Sequence, residues 1–135
     1  MPDIIDPRHE AQVEFLFRRA CSVLKMPEFE LRPLRRRVRG KRGSLRSYNQ
    51  GYTTIGEKKI TVDLYTPQTM KPRKMGAILR VVCHELAHHQ EPPAYFWKGW
   101  KRVHASHHPR FWRRYKKNVA ILGKDELLLP FLRLE

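Results

Sequence analysis

Residues 72–93, PRKMGAILRVVCHELAHHQEPP, have less structural freedom than any other part of this chain. Leu79, Val82, Cys83 and Leu86 recur at three- and four-residue steps, which places apolar side chains on one face of a helix. The pattern predicts a helix from Pro72 to His89. Pro92-Pro93 stops it, because proline lacks a backbone N–H and disfavours helix in the residue before it. Such a helix gains most of its stability from burying its apolar stripe, so the remaining chain must supply a core to cover it. His84 and His88 stand one turn apart and off that stripe, free to look into a cleft.

The covering elements can be read around it. In residues 8–25, Val13, Leu16, Phe17, Ala20, Val23 and Leu24 keep helical spacing, and Met26-Pro27 ends the pattern. Residues 29–34, FELRPL, read as a strand that Pro33 confines to an edge. Two β-rich runs, Tyr52–Ile55 and Ile60–Leu64, flank Gly56-Glu57-Lys58 as a hairpin would. Residues 94–108 read as an aromatic and basic loop, and a last helix starts near Pro109, a residue suited to a first helical turn. The expectation is one α+β domain spanning residues 1–135, with its core at about 8–122. Its order would be N-terminal helix, small antiparallel sheet, central helix, loop and C-terminal helix.

Composition narrows the setting. An apolar fraction of 41% in 135 residues suffices for one packed core, and no apolar run approaches the roughly 18 residues of a membrane span. Cys21 and Cys83 are far apart and belong to no CxxC pair, and the first ten residues hold no apolar signal segment. A reducing, cytoplasmic setting and a monomer are therefore expected. Lys and Arg number 28 against 13 Asp and Glu, a net charge of +15. A field of that size attracts polyanions, and nucleic acid is the commonest inside a cell, so a nucleoid association is also expected.

His84-Glu85-Leu86-Ala87-His88 is an HExxH motif. On a helix, imidazoles at i and i+4 share a face and can reach one metal ion. Zinc accepts imidazole nitrogen, and catalytic sites take three protein ligands and leave a position for water. Glu85, beside the first histidine, is placed to take a proton from that water. The motif is short, and a helix can also carry partly exposed histidines that bind nothing. The weight therefore falls on a third ligand.

Downstream stands His104-Ala-Ser-His107-His108-Pro-Arg-Phe111-Trp112. HELAHH followed, after a variable loop, by a histidine, three residues and Phe-Trp resembles the SprT-like zinc metalloprotease family, a zincin-like group. The order of elements from about residue 8 to residue 122 is similar too. The resemblance implies that His84, His88 and His107 hold one Zn2+ and that Glu85 is the general base. It also implies that Phe111 and Trp112 pack to fix the ligand-bearing segment. His108 stands where the family usually has a small residue, so His108 and His104 stay open as the third ligand, as does a carboxylate from Glu91 or Glu126. The family's substrates often add as a strand beside the sheet, which makes Ile60, Val62 and Leu64 the candidate docking edge. Tyr95, His104 and Tyr115 are candidates for stabilising the oxyanion.

The cations cluster. Arg35, Arg36, Arg37, Arg39, Lys41 and Arg42 crowd one glycine-containing stretch that cannot bury itself, and Lys71–Lys74 form a second group. Lys98, Lys101, Arg102, Arg113 and Arg114 interleave with Trp97, Trp100, Trp112 and Tyr115, a mixture suited to phosphate contacts beside stacked bases. Trp112 reads as packing over the metal site, while Trp97 and Trp100 are open to either role. SprT-like proteases act on proteins crosslinked to or bound on DNA, so the resemblance implies a peptide or protein substrate and DNA as partner. The rival expectation is a nucleic-acid-binding protein whose zinc site is structural or vestigial, with no peptidase activity. A fourth protein ligand would favour it.

Overall fold

The computed structural model describes residues 5–35, 51–66 and 69–133. Helix α1 (Pro7–Val23) opens on Asp6, whose Oδ1 accepts from the backbone N–H groups of Arg8 (3.0 Å) and His9 (3.1 Å), with Pro7 in the first turn. The helix buries Val13, Leu16, Phe17, Ala20 and Cys21. Beyond its C-cap, Leu24, the chain turns at Lys25 through a left-handed φ of 61°.

Strands β1 (Glu30–Leu34), β2 (Gly51–Thr53) and β3 (Lys59–Asp63) form one sheet in the order β1-β3-β2. β2 and β3 make the expected hairpin, turning through Thr54–Glu57 with Gly56 at φ 98°. β1, however, pairs with β3 in parallel, so the sheet is mixed rather than antiparallel. The cause is that β1 joins the far side of β3 and not its sequence neighbour β2.

This order corrects a second expectation. Ile60 and Val62 lie on the central strand and Leu64 just beyond it, all at 0–1% exposure. Both sides of β3 are already hydrogen-bonded, so it offers no edge to an incoming strand. A strand buried on both faces reads as apolar in sequence whether or not it is an edge.

Helix α2 (Met75–Gln90) lies across β2 and β3 and against the other helices. It starts three residues later than the apolar pattern suggests, because Tyr65 and Pro72 form a β-bridge that keeps the preceding chain extended. Its expected stripe of Leu79, Val82, Cys83 and Leu86 is completely buried, joined by Met75 and Ile78. The segment expected to be a loop is instead a hairpin, β4 (Ala94–Lys98) and β5 (Lys101–Ala105), turning through Gly99 and Trp100 with Gly99 at φ 66°. Helix α3 (Pro109–Leu122) follows as predicted, then a short α4 (Leu129–Arg133) that packs on α2.

The core runs past residue 122: Leu128 and Leu132 belong to it, and Arg19 grips Asp125 through Nε (3.1 Å) and Nη2 (2.5 Å). At the other end of the sheet, the buried Tyr65 hydroxyl donates to Glu10 (2.8 Å) and accepts from the Asp6 N–H (2.8 Å), fastening the start of α1. No helix among the described residues is long and apolar enough to cross a membrane.

Candidate metal centre

The apolar stripe of α2 faces the core, and this fixes where its polar residues point. His84 and His88 are half-buried on the helix flank, with ring centroids 5.1 Å apart. Glu85 is buried to 6% exposure, with its carboxylate 4.0 Å from His84 Nε2.

His107 arrives from the β4–β5 hairpin, whose turn sends the chain back to α2. Its Nε2 lies 3.2 Å from His84 Nε2, and its ring centroid lies 4.8 Å from that of His88. Among the described residues, His84, His88 and His107 form the group that could hold a metal ion, with all ligand atoms within 4.8 Å of one another. Zinc–imidazole bonds of about 2.0–2.1 Å put tetrahedral ligand atoms roughly 3.3 Å apart. The 3.2 Å separation fits two ligands of one ion.

Two aromatic residues hold this arrangement. Phe111 is fully buried, with its ring centroid 5.0 Å from His84, 4.4 Å from His88 and 4.9 Å from His107. Trp112 stacks on His107 at 5.7 Å. Both take the packing role expected of them.

His108 is occupied elsewhere. It caps α3: its Nδ1 accepts from the Phe111 N–H (3.3 Å), so its Nε2–H donates to the Pro92 carbonyl (2.9 Å). With both ring nitrogens engaged it has no lone pair for a metal. His104 lies on β5 beside Tyr95, on the exposed hairpin face, and Glu91 and Glu126 belong to no ligand group. The spacing of the resemblance favours His107 in the sequence but leaves His108 open. The feature that separates them is the α3 cap, which His108-Pro109 announces in retrospect.

Burial lowers the pKa of His84, with His107 adding to the effect, and takes His88 down to about 4. Both imidazoles are therefore neutral at pH 7, the form that ligates metal. Burial pushes Glu85 up to about 7.

The centre opens onto a cleft of about 340 Å³. Gly51, Tyr52 and Thr53 of β2 form one wall, and Ser106 and His107 stand opposite. Three contacts missed in the sequence hold the frame. A Cβ at Gly51 would sit 2.7 Å from both the Thr61 carbonyl oxygen and Val81 Cγ1, so only glycine lets β2 lie this close to α2. Thr53 Oγ1 donates to the Lys59 carbonyl (2.8 Å), leaving it to accept from His89 Nε2–H at 2.6 Å. His89 thus ties α2 to β2 and does not join the ligand set. Buried Asn118 of α3 donates to Gln90 Oε1 (2.6 Å) and the Cys83 carbonyl (3.3 Å), bracing α2 on either side of the histidines. Cys83 itself is a buried apolar filler, and burial raises its thiol to about 12.

Tyr95 and His104 are not among the residues lining the cleft. Tyr115 is half-buried beside Trp112, its ring centroid 6.0 Å from that of His84. Of the expected cations, Arg36, Arg37, Arg39, Lys41 and Arg42 lie outside the described residues, as does the side chain of Lys98. Arg35 donates to Glu10 (2.8 Å), which commits it to an ion pair. Lys101, Arg102 and Arg113 are exposed, and Arg114 is half-exposed. Comparison with protein-family models, curated proteins and solved structures found no match to this chain.

Proposed function

We propose that this chain is a zinc-dependent peptidase of SprT-like type that acts on proteins associated with nucleic acid. The observation that carries the reading is the convergence of His84, His88 and His107 beside the Glu85 carboxylate, on the wall of an open cleft. Three nitrogen donors, with no fourth candidate among the described residues, match catalytic zinc and not a closed structural site. His108 has both ring nitrogens engaged elsewhere, and His104 does not belong to the ligand group, so neither closes the sphere. That favours the peptidase over a binding protein with structural zinc.

When bound, zinc supplies a water of pKa about 7 and a Lewis-acid contact for the scissile carbonyl. The chain supplies the rest. Glu85 takes the water's proton on its carboxylate and returns it to the departing amine. β2, at the sheet edge and on the cleft wall, is the strand along which an extended peptide pairs. Phe111 and Trp112 keep the three rings in register throughout.

The test is reconstitution. Protein stripped with a chelator should not cleave a denatured, basic protein substrate. One equivalent of zinc should restore cleavage. Cleavage that persists in the stripped protein would refute the reading.

A further inference from the structure

The cations of residues 98–117 crowd together in sequence, and the fold sorts them. α3 is strongly two-faced. Phe111, Asn118 and Leu122 are buried, while Arg110, Arg113, Arg114 and Lys117 recur at three- and four-residue steps on the other side. These four line a groove of about 300 Å³ in which Glu91 is the acidic member. No acidic side chain among the described residues forms an ion pair with any of them.

Arg110 and Arg113 also line a second groove, of about 390 Å³, which extends to Tyr95 and His108. Tyr95 opens the hairpin face. Alternation along β4 puts Trp97 on that same face, and the cross-strand partners His104 and Arg102 complete it. Tyr95 is 60% exposed and Trp97 70% exposed, and the Arg102 guanidinium lies 4.1 Å from the Tyr95 ring centroid. Trp100, at the turn, is 86% exposed.

Large aromatics scattered singly on a surface need no explanation, but three on one hairpin form a patch. This patch runs into a row of cations that form no ion pair among the described residues, on a chain of net charge +15. Duplex bases are stacked on each other and offer no free faces, whereas unpaired bases do. An anionic lipid surface would attract the same cations, but a line of cations set in grooves beside exposed aromatic rings suits a narrow strand with free base faces better than a flat surface.

We propose that the β4–β5 hairpin face and the α3 stripe form one platform for single-stranded nucleic acid. Bases stack on Tyr95 and Trp97, and phosphates run along Arg110, Arg113 and Lys117. This rests on the nucleic-acid part of the proposed function and locates its contact. It also sets the platform apart from the metal. His108 lines the groove while His107 lines the cleft, so a bound strand leaves the cleft open to a protein carried on that strand.

The test is fluorescence anisotropy with a labelled oligothymidine of about 15 nucleotides, an upper-range single-strand site, against a duplex of equal length. Vesicles containing phosphatidylserine serve as the second competitor. The oligothymidine should bind at least about tenfold tighter than the duplex at equal salt. Trp97→Ala should weaken it about tenfold while keeping the salt dependence. Arg113→Gln with Lys117→Gln should flatten the slope of log K against log salt by about 1.4, from roughly 0.7 per cation. Equal or tighter duplex binding, indifference to Trp97→Ala, or capture by vesicles alone would overturn the proposal. Zinc content and peptide hydrolysis are measured on the same samples. Lost hydrolysis with binding intact refutes the peptidase alone, and lost binding with hydrolysis intact refutes the platform alone.

Discussion

His107 and His108 are neighbours in the chain, yet their rings serve different structures. His107 Nε2 meets His84 Nε2 at 3.2 Å, whereas His108 bridges the Phe111 N–H and the Pro92 carbonyl as the cap of α3. The division predicts opposite outcomes for one substitution made at each position. His107→Ala should abolish stoichiometric zinc binding. His108→Ala should keep one zinc and lose about 1–2 kcal/mol of stability, the cost of a helix cap with its buried hydrogen bond. Equilibrium dialysis and urea unfolding read the two effects separately. Zinc lost from the His108 variant at native temperature would reverse the assignment.

Asn118 should matter to both fold and metal, although it is not a ligand. Asn118→Ala removes the bonds to Gln90 and the Cys83 carbonyl and leaves a small void, which together cost about 2 kcal/mol. Because α3 also carries Phe111 beneath the three rings, zinc affinity should fall about tenfold, the lower range for outer supports of a metal ligand. A competition titration with a chromophoric chelator measures it.

Gly51→Ala places a methyl group against a backbone carbonyl and Val81, and the carbonyl cannot swing aside. β2 must then move off α2. A stability loss of about 1–3 kcal/mol is expected, with zinc content unchanged. If peptides pair along β2, KM should rise about tenfold, equivalent to roughly 1.4 kcal/mol of binding. Unchanged KM would separate β2 from the substrate.

Arg19 holds the Asp125 carboxyl below the usual carboxylate range. A carboxylate depressed in the folded state stabilises above its unfolded pKa, near 4, and loses that contribution as pH falls through the lower folded value. Asp125→Asn should therefore be less stable than the natural chain at pH 7, and the gap should close below about pH 4. Urea midpoints at pH 7 and pH 3 test this. A gap that widens in acid would contradict it.

Two of the three histidines of the candidate metal centre were legible from helical periodicity, because that periodicity is local. Leu79, Val82, Cys83 and Leu86 fixed the buried face of α2, and His84 and His88 had to lie off it. The parallel pairing of β1 with β3 was not legible, since Leu31 meets Ile60 only after β2 has intervened. The β4–β5 hairpin was missed because Tyr95, Trp97, Lys101 and Arg102 are exposed, so these positions carry little of the apolar alternation that marks a half-buried strand. Leu128, just before α4, and Leu132 within it went unnoticed because α4 is too short to display a period. The H-x-x-x-F-W spacing of the resemblance favours His107, but what sets His108 apart is backbone geometry at the start of α3, which no residue type encodes by itself.

The central claim is that Glu85 turns a three-histidine metal site into a peptidase. The most direct measurement compares the natural chain with Glu85→Gln, each loaded with one equivalent of zinc, by following new amino termini released from a denatured protein substrate. The account predicts that both bind one zinc and that the variant cleaves at least about 100-fold more slowly, the contribution typical of a positioned general base. Equal cleavage by the two zinc-loaded proteins would contradict it.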